Sequence, residues 1–195
     1  MDSTPIIQEA VKVLREGGVI LYPTDTVWGI GCDATNEKAV ARVFEIKRRS
    51  EAKSLVLLAC DLDMVAKHIK EIPSIAIDLV EVNDAPMTII YPGAQYLAPN
   101  AVAEDGSVGI RIPLSEENPA GAFCKELVYR LRRPLVSTSA NISGEPTPAS
   151  FAEISEEIKD AVDYVVPKPF GAGATGRSSQ IIKLGLGGEV EILRP

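Results

Sequence analysis

Three stretches of this chain concentrate side chains able to hold an anionic or polar ligand. The first, Tyr22-Pro23-Thr24-Asp25-Thr26-Val27-Trp28-Gly29-Ile30-Gly31, sets two hydroxyls, a carboxylate and two glycines in a turn straight after an apolar run. The second is Lys47-Arg48-Arg49 with Lys53 close behind. The third, Leu135-Val136-Ser137-Thr138-Ser139-Ala140-Asn141-Ile142-Ser143-Gly144, follows an apolar pair with small hydroxyl and amide residues that donate to phosphate or carboxylate oxygens. None supplies a nucleophile with an adjacent base. Hydroxyls and cations without such a pair suit phosphoryl or nucleotidyl transfer, where positioning and charge neutralisation do most of the catalysis. Each stretch also has a plainer reading: loop hydroxyls that cap their own backbone, and a solvated cationic helix end.

Gly171 to Ser178, GAGATGRS, comes close to the phosphate-loop pattern, but Arg177 stands at the lysine position and a strand pattern follows where a helix must open. A mobile glycine-rich lid is the better expectation. His68, the one histidine of the chain, lies in the run Met64-Val65-Ala66-Lys67-His68-Ile69 and reads as a partly exposed helix residue rather than a base. A single histidine also excludes zinc sites built on two or three of them.

The elements that must position these residues follow from chain order. Thr4-Pro5 opens a helix whose apolar set Ile6, Ile7, Ala10, Val11, Val13 and Leu14 ends at Gly17-Gly18. Val19 to Tyr22 is a buried strand delivering the loop Pro23 to Asp33. Asn36 caps a second helix that carries Lys47 to Arg49 in its last turn, where cations suit the helix dipole. Strands are expected at Leu55–Ala59, Met87–Tyr91, Val108–Ile112, Leu135–Ser137, Tyr164–Val166, Gln180–Leu184 and Val190–Leu193. Helices are expected at Leu62–Glu71, Ile75–Val82 and Pro119–Leu131, with one more capped by Ser150 and Glu153. Alternation of this kind predicts an α/β fold. Its consecutive terminal strands make the sheet mixed.

Composition narrows the class. With 195 residues, 46% hydrophobic and 24% charged, and a mean hydropathy of +0.10, the chain reads as one globular domain over 1–195, not a disordered or fibrous protein. No apolar stretch approaches the ~20 residues of a membrane span, and the N-terminus does not resemble a signal peptide, so a cytoplasmic protein is expected. Cys32, Cys60 and Cys124 are an odd, scattered set that fits reduced buried thiols rather than disulfides or a metal cluster. A net charge of −7 and a pI near 4.9 argue against nucleic-acid binding over the whole surface and leave room for a local basic patch. An RNA-binding module using Lys47, Arg48, Arg49, Arg130, Arg132 and Arg133 is therefore the alternative from another functional class.

The chain resembles the YrdC family in its short, single-domain form. The resemblance is carried by PTDTVWGIGCDATN, the K-x-R of Lys47-Arg48-Arg49, Ala85-Pro86-Met87-Thr88, and the R-x-P strand in Gly109-Ile110-Arg111-Ile112-Pro113. Further along come the S-x-N of Ser139-Ala140-Asn141 within SANISGEPTP, then Ser178 to Ile182 and Ile192 to Pro195. It implies a twisted mixed sheet flanked by helices, with a concave basic active-site face. It also implies an L-threonylcarbamoyladenylate synthase, a nucleotidyltransferase acting on L-threonine, bicarbonate and ATP. Threonylcarbamoyl-AMP and pyrophosphate are the products, for modification of adenosine 37 in tRNAs reading ANN codons by a threonylcarbamoyl-transferase complex.

Motif by motif, the resemblance implies threonine on Thr26, Arg111 and Ser179, and ATP on Lys47, Arg49, Lys53, Ser107, Ser137, Ser139, Asn141 and Arg194. Lys47, Arg49, Ser139 and Asn141 are the implied catalytic set. Magnesium is expected to accompany ATP, with no dedicated protein metal site, and tRNA to meet the basic face. Three positions depart from longer relatives: Lys53 stands for an asparagine, Ser54 for a proline, and Leu58 for a threonine-contacting histidine. A paralogue of unsettled role is the further alternative within the superfamily.

Overall fold

The computed structural model describes residues 2–49 and 55–195, so Lys53 and Ser54 lie outside the described residues. Along the chain run α1 (Thr4–Arg15), β1 (Ile20–Tyr22), β2 (Gly29–Gly31), α2 (Glu37–Lys47), β3 (Val56–Leu58), α3 (Leu62–His68), α4 (Ser74–Val82), β4 (Met87–Tyr91), β5 (Val108–Arg111), α5 (Pro119–Leu131), β6 (Leu135–Ser139), α6 (Glu156–Ala161), β7 (Tyr164–Val165), β8 (Gln180–Leu184) and β9 (Val190–Arg194). Local chemistry starts and stops the helices. Asn36 accepts a hydrogen bond from the Ala39 N–H at the head of α2, and Asn118 accepts one from Gly121 at the head of α5. Both helices end on an arginine in the left-handed conformation, Arg48 (φ 50°) and Arg132 (φ 60°). Helix α1 buries Ile7, Ala10, Val11 and Leu14, a three- and four-residue spacing that makes one apolar stripe.

The strands form a nine-stranded mixed sheet in the order β7-β1-β2-β6-β3-β5-β4-β8-β9. Pairs β1/β7, β3/β5 and β4/β8 are parallel and the other adjacent pairs antiparallel. Because side chains alternate across a strand, register sorts the two faces. Val136, Leu57, Ile110, Ile89, Ile182 and Ile192 are successive cross-strand partners and make one apolar row. Their neighbours Ser137, Val56, Gly109, Ile90 and Lys183 point to the opposite face, where the sheet lines a cavity.

Three elements and one side chain differ from the sequence expectation. The loop expected over Pro23–Asp33 contains strand β2, which pairs with β1 and β6, so the motif loop itself is Pro23 to Trp28. The close approach needs glycine: a Cβ on Gly31 would lie 1.8 Å from the Val136 carbonyl oxygen. Ser150 does not open an α-helix. Its hydroxyl donates to Glu153 (2.9 Å) over a single 3-10 turn, Phe151–Glu153, and α6 starts only at Glu156, under a cap from Ser155. Helix α3 stops at His68 rather than Glu71 because Ile69 turns into a bridge with Ala94. His68, expected to be partly exposed, is buried at 3%. The Gln95 backbone covers it through Gln95 N–H to the His68 carbonyl (2.9 Å), and burial lowers the imidazole pKa.

Candidate active site

Strand β1 delivers the motif loop to one end of a cavity of about 720 Å³ that runs along the sheet face. Asp25 is fully buried there, and its carboxylate pairs with the Arg111 guanidinium while also accepting the Leu114 N–H (3.0 Å). Burial of both partners makes this a high-stakes contact, since either charge left alone in the interior is costly. The Thr26 hydroxyl accepts from Arg111 Nη2 (3.3 Å) and lies 2.9 Å from the Thr24 hydroxyl. On the neighbouring strand Thr88, in register with Arg111, shares a 2.7 Å hydrogen bond with the Ser179 hydroxyl, and Arg194 Nε donates to the Ser179 carbonyl (2.7 Å). Arg111, Thr26, Thr88 and Ser179 thus make a compact polar corner with one guanidinium, fit for a small carboxylate bearing further polar groups.

The cavity continues past Gly29 and Gly109 to Arg49, Ser137, Thr138, Ser139, Ser107 and Arg194. Glycines here keep the floor low, and the hydroxyls and guanidinium groups provide donors for phosphate oxygens. Ser107 donates to Asp105, which also pairs with Lys183 (3.2 Å). The Ser107 hydroxyl first, then the Ser107 N–H (3.0 Å) and, less, Lys183 hold the Asp105 carboxyl pKa at about 2. Charged residues on the lining are Arg49, Arg111, Lys183 and Arg194 against Glu104 and Asp105.

Lys47 and Asn141 stand behind this wall rather than on it. The Lys47 ammonium, 2% exposed, donates to the carbonyls of Ser139 (2.6 Å) and Asn141 (2.8 Å). Asn141 in turn donates to Glu145 O (2.8 Å) and accepts from Ser139 Oγ. Burial, then the nearby Arg49 charge, lowers the Lys47 pKa to about 8. Leu58 is fully buried in register with Arg111, outside the cavity lining. Segment 171–178, expected as a mobile lid, is docked within its length: Thr175 N–H and Gly176 N–H donate to the carbonyls of Asp25 (3.0 Å) and Thr26 (2.7 Å). Ser178 also lines the cavity, and β8 follows in place of a phosphate-loop helix.

Of the cations read as an RNA-binding set, only Arg49 reaches the cavity. Arg48 pairs with Glu157, Arg130 with Glu126 (2.6 Å) and Arg133 with Asp33 (2.6 Å). Sequence reasoning gave Thr24, Asp25 and Thr88 no individual role. Asp25 carried a signal, a lone carboxylate in an otherwise neutral motif that needs a cation to be buried.

A fold of this kind with this cavity defines a class, and comparison with known proteins agrees. The family model Sua5_yciO_yrdC, described as "Telomere recombination", matches residues 12–195, and the chain belongs to that family. A chain from Xanthomonas campestris pv. campestris (strain B100) named threonylcarbamoyl-AMP synthase is 35% identical over 94% of this chain and all of its own length. One of the same name from Idiomarina loihiensis is 31% identical over 85% of this chain and 88% of its own. P. abyssi Sua5 complexed with L-threonine superposes with a TM-score of 0.81 at 28% identity over 91% of this chain. This chain spans 50% of that Sua5. E. coli YciO shares the fold, with a TM-score of 0.77 at 22% identity.

Proposed function

We propose that the chain is a threonylcarbamoyl-AMP synthase, joining L-threonine, bicarbonate and ATP into threonylcarbamoyl-AMP with release of pyrophosphate. The observation that carries this reading is the single cavity lined at one end by Arg111, Thr26, Thr88 and Ser179 and at the other by Arg49, Ser137, Ser139 and Arg194. An amino-acid carboxylate suits Arg111, and nucleotide phosphates suit the hydroxyl and arginine end. The relatives named above support the same assignment.

In this account bicarbonate carboxylates the neutral threonine amine with loss of water, and a carbamate oxygen attacks the α-phosphorus while pyrophosphate leaves. Two anions must approach one another, so cations on the wall lower the barrier more than they stabilise the separate reactants. Arg49 is the catalytic cation. Lys47 and Asn141 act through the shape of the Ser139–Asn141 turn. Magnesium would come with ATP and neutralise phosphate charge, with the described cavity wall offering no dedicated cage for it. The carboxylates on the described lining are Glu104 and Asp105, and Asp105 is already committed to Ser107 and Lys183.

The product would pass to a threonylcarbamoyl-transferase complex acting on tRNA, in the cytoplasm. Among the described residues no helix is long and apolar enough to cross a membrane. Pyrophosphate release is the test: it should require both threonine and bicarbonate, and equal release without threonine would sink the assignment.

A further inference from the structure

We infer that Thr24 fixes the direction of the Thr26 hydroxyl, so that the cavity floor beside Arg111 offers an acceptor and takes a hydrogen-bond donor of the ligand. This rests on the reading of that corner as an amino-acid site. A hydroxyl has one proton and two acceptor positions. Thr24 Oγ1 lies 2.8 Å from the Val27 carbonyl oxygen, which can only accept, so the Thr24 proton goes there. The same oxygen accepts the Thr26 N–H at 3.1 Å. Its remaining neighbour is Thr26 Oγ1 at 2.9 Å, and with the Thr24 proton committed the Thr26 hydroxyl is the donor. The reverse assignment takes the Thr24 proton from the Val27 carbonyl and turns the Thr26 proton away from Thr24, one bond fewer between residues only 1% and 4% exposed.

Thr26 then has its proton on Thr24 and one lone pair on Arg111 Nη2 (3.3 Å). One lone pair is left, on a residue that lines the cavity. A carboxylate, having no proton, is turned away from it and toward the remaining N–H groups of Arg111. Thr26 and Arg111 are adjacent, so the group that meets Thr26 sits next to the carboxylate on the ligand. That group is the α-amine, and the carbamate formed on it keeps one N–H, so the contact outlasts carboxylation. Thr24 is a positioning residue whose own hydroxyl is saturated.

The test is calorimetric binding to the whole chain of L-threonine, 2,3-dihydroxybutyrate and its 2-O-methyl ether. The dihydroxy acid keeps a donor in place of the amine and the ether has none. Wild type should bind the ether at least about 10-fold more weakly than the dihydroxy acid. Thr24→Val frees the Thr26 proton, and the ratio should shrink to within about threefold, whereas Thr24→Ser should keep the wild-type ratio. A steric penalty from the added methyl would persist in Thr24→Val, and an unchanged ratio there overturns the inference. So does Thr24→Ser behaving like Thr24→Val. If Thr24→Val does not fold, as its melting curve would show, equal binding of the two acids by wild type still overturns it. No binding of L-threonine at all would overturn the amino-acid reading itself, and the inference with it.

Discussion

The Lys47 ammonium lies 2.6 Å from the Ser139 carbonyl and 2.8 Å from that of Asn141, while Arg49, two residues on, lines the cavity. A helix end that turns left-handed at Arg48 separates the three cations: one inside the wall, one paired with Glu157 at the surface, one at the site. Lys47→Ala should leave two carbonyls without their donor, at about 1–3 kcal/mol each, a fall in melting temperature of about 2–4 °C per kcal/mol. Arg49→Ala should lower turnover on the order of 10²-fold with a much smaller thermal effect. Arg48→Ala removes an exposed pair worth about 0–1 kcal/mol and should change neither much. Melting curves beside steady-state rates check all three, and a Lys47→Ala protein that melts like wild type would contradict the placement.

A pH dependence follows from the same lysine. Its folded pKa, about 8, is depressed from 10.5 by burial first and Arg49 second. Between those values the unfolded chain holds the proton and the folded chain does not, so stability rises with pH across that window and the burial cost is felt in full below about 8. Set against Lys47→Met, wild type should therefore gain in relative stability as pH rises from about 8 toward 10.5. Urea titrations of both proteins across that range measure it, and a flat difference would mean that Lys47 titrates normally.

The Asp25–Arg111 pair gives a different signature. Asp25→Asn keeps the shape and strips the counter-charge, leaving a buried guanidinium alone, at about 3–5 kcal/mol. Asp25→Asn combined with Arg111→Met should recover much of that stability and none of the threonine-dependent turnover. Recovery of activity in the double variant would remove Arg111 from the site.

Gly31→Ala tests the strand that brings the motif loop to the sheet. Its Cβ would stand 1.8 Å from the Val136 carbonyl, so β2 must leave β6. Thermal unfolding should show a severe loss of stability, and an unchanged melting temperature would contradict the β2–β6 pairing.

Much of the framework was legible because its signals are local. Asn36 caps α2, Pro119 opens α5, and short apolar runs ending in proline or serine mark β1 and β6. Strand β2 was not legible, since two of its three residues are glycines, which disfavour strands, and only the buried Ile30 carries a strand signal. Ser150 and Glu153 do pair, but hydroxyl to carboxylate rather than as a cap on the backbone, and over a single 3-10 turn. For the site, residue types and strand ends pointed to Thr26, Arg49, Ser137 and Ser139, while Ser107, Arg111, Ser179 and Arg194 came from the family resemblance; all eight line one cavity. The burial of Lys47 was hidden because its partners lie 92 and 94 residues away. The docking of Thr175 and Gly176 was hidden for a like reason: their partners, Asp25 and Thr26, are still more remote in sequence.

The proposed reaction joins a carbamate made on threonine to the α-phosphorus of ATP. The direct measurement is mass spectrometry of the nucleotide product formed by the whole chain from ATP, magnesium, L-threonine and carbon-13 bicarbonate. The account predicts threonylcarbamoyl-AMP carrying one labelled carbon, formed in step with pyrophosphate and absent when threonine is left out. An unlabelled threonyl adenylate, or AMP alone at the same rate with and without bicarbonate, would contradict it.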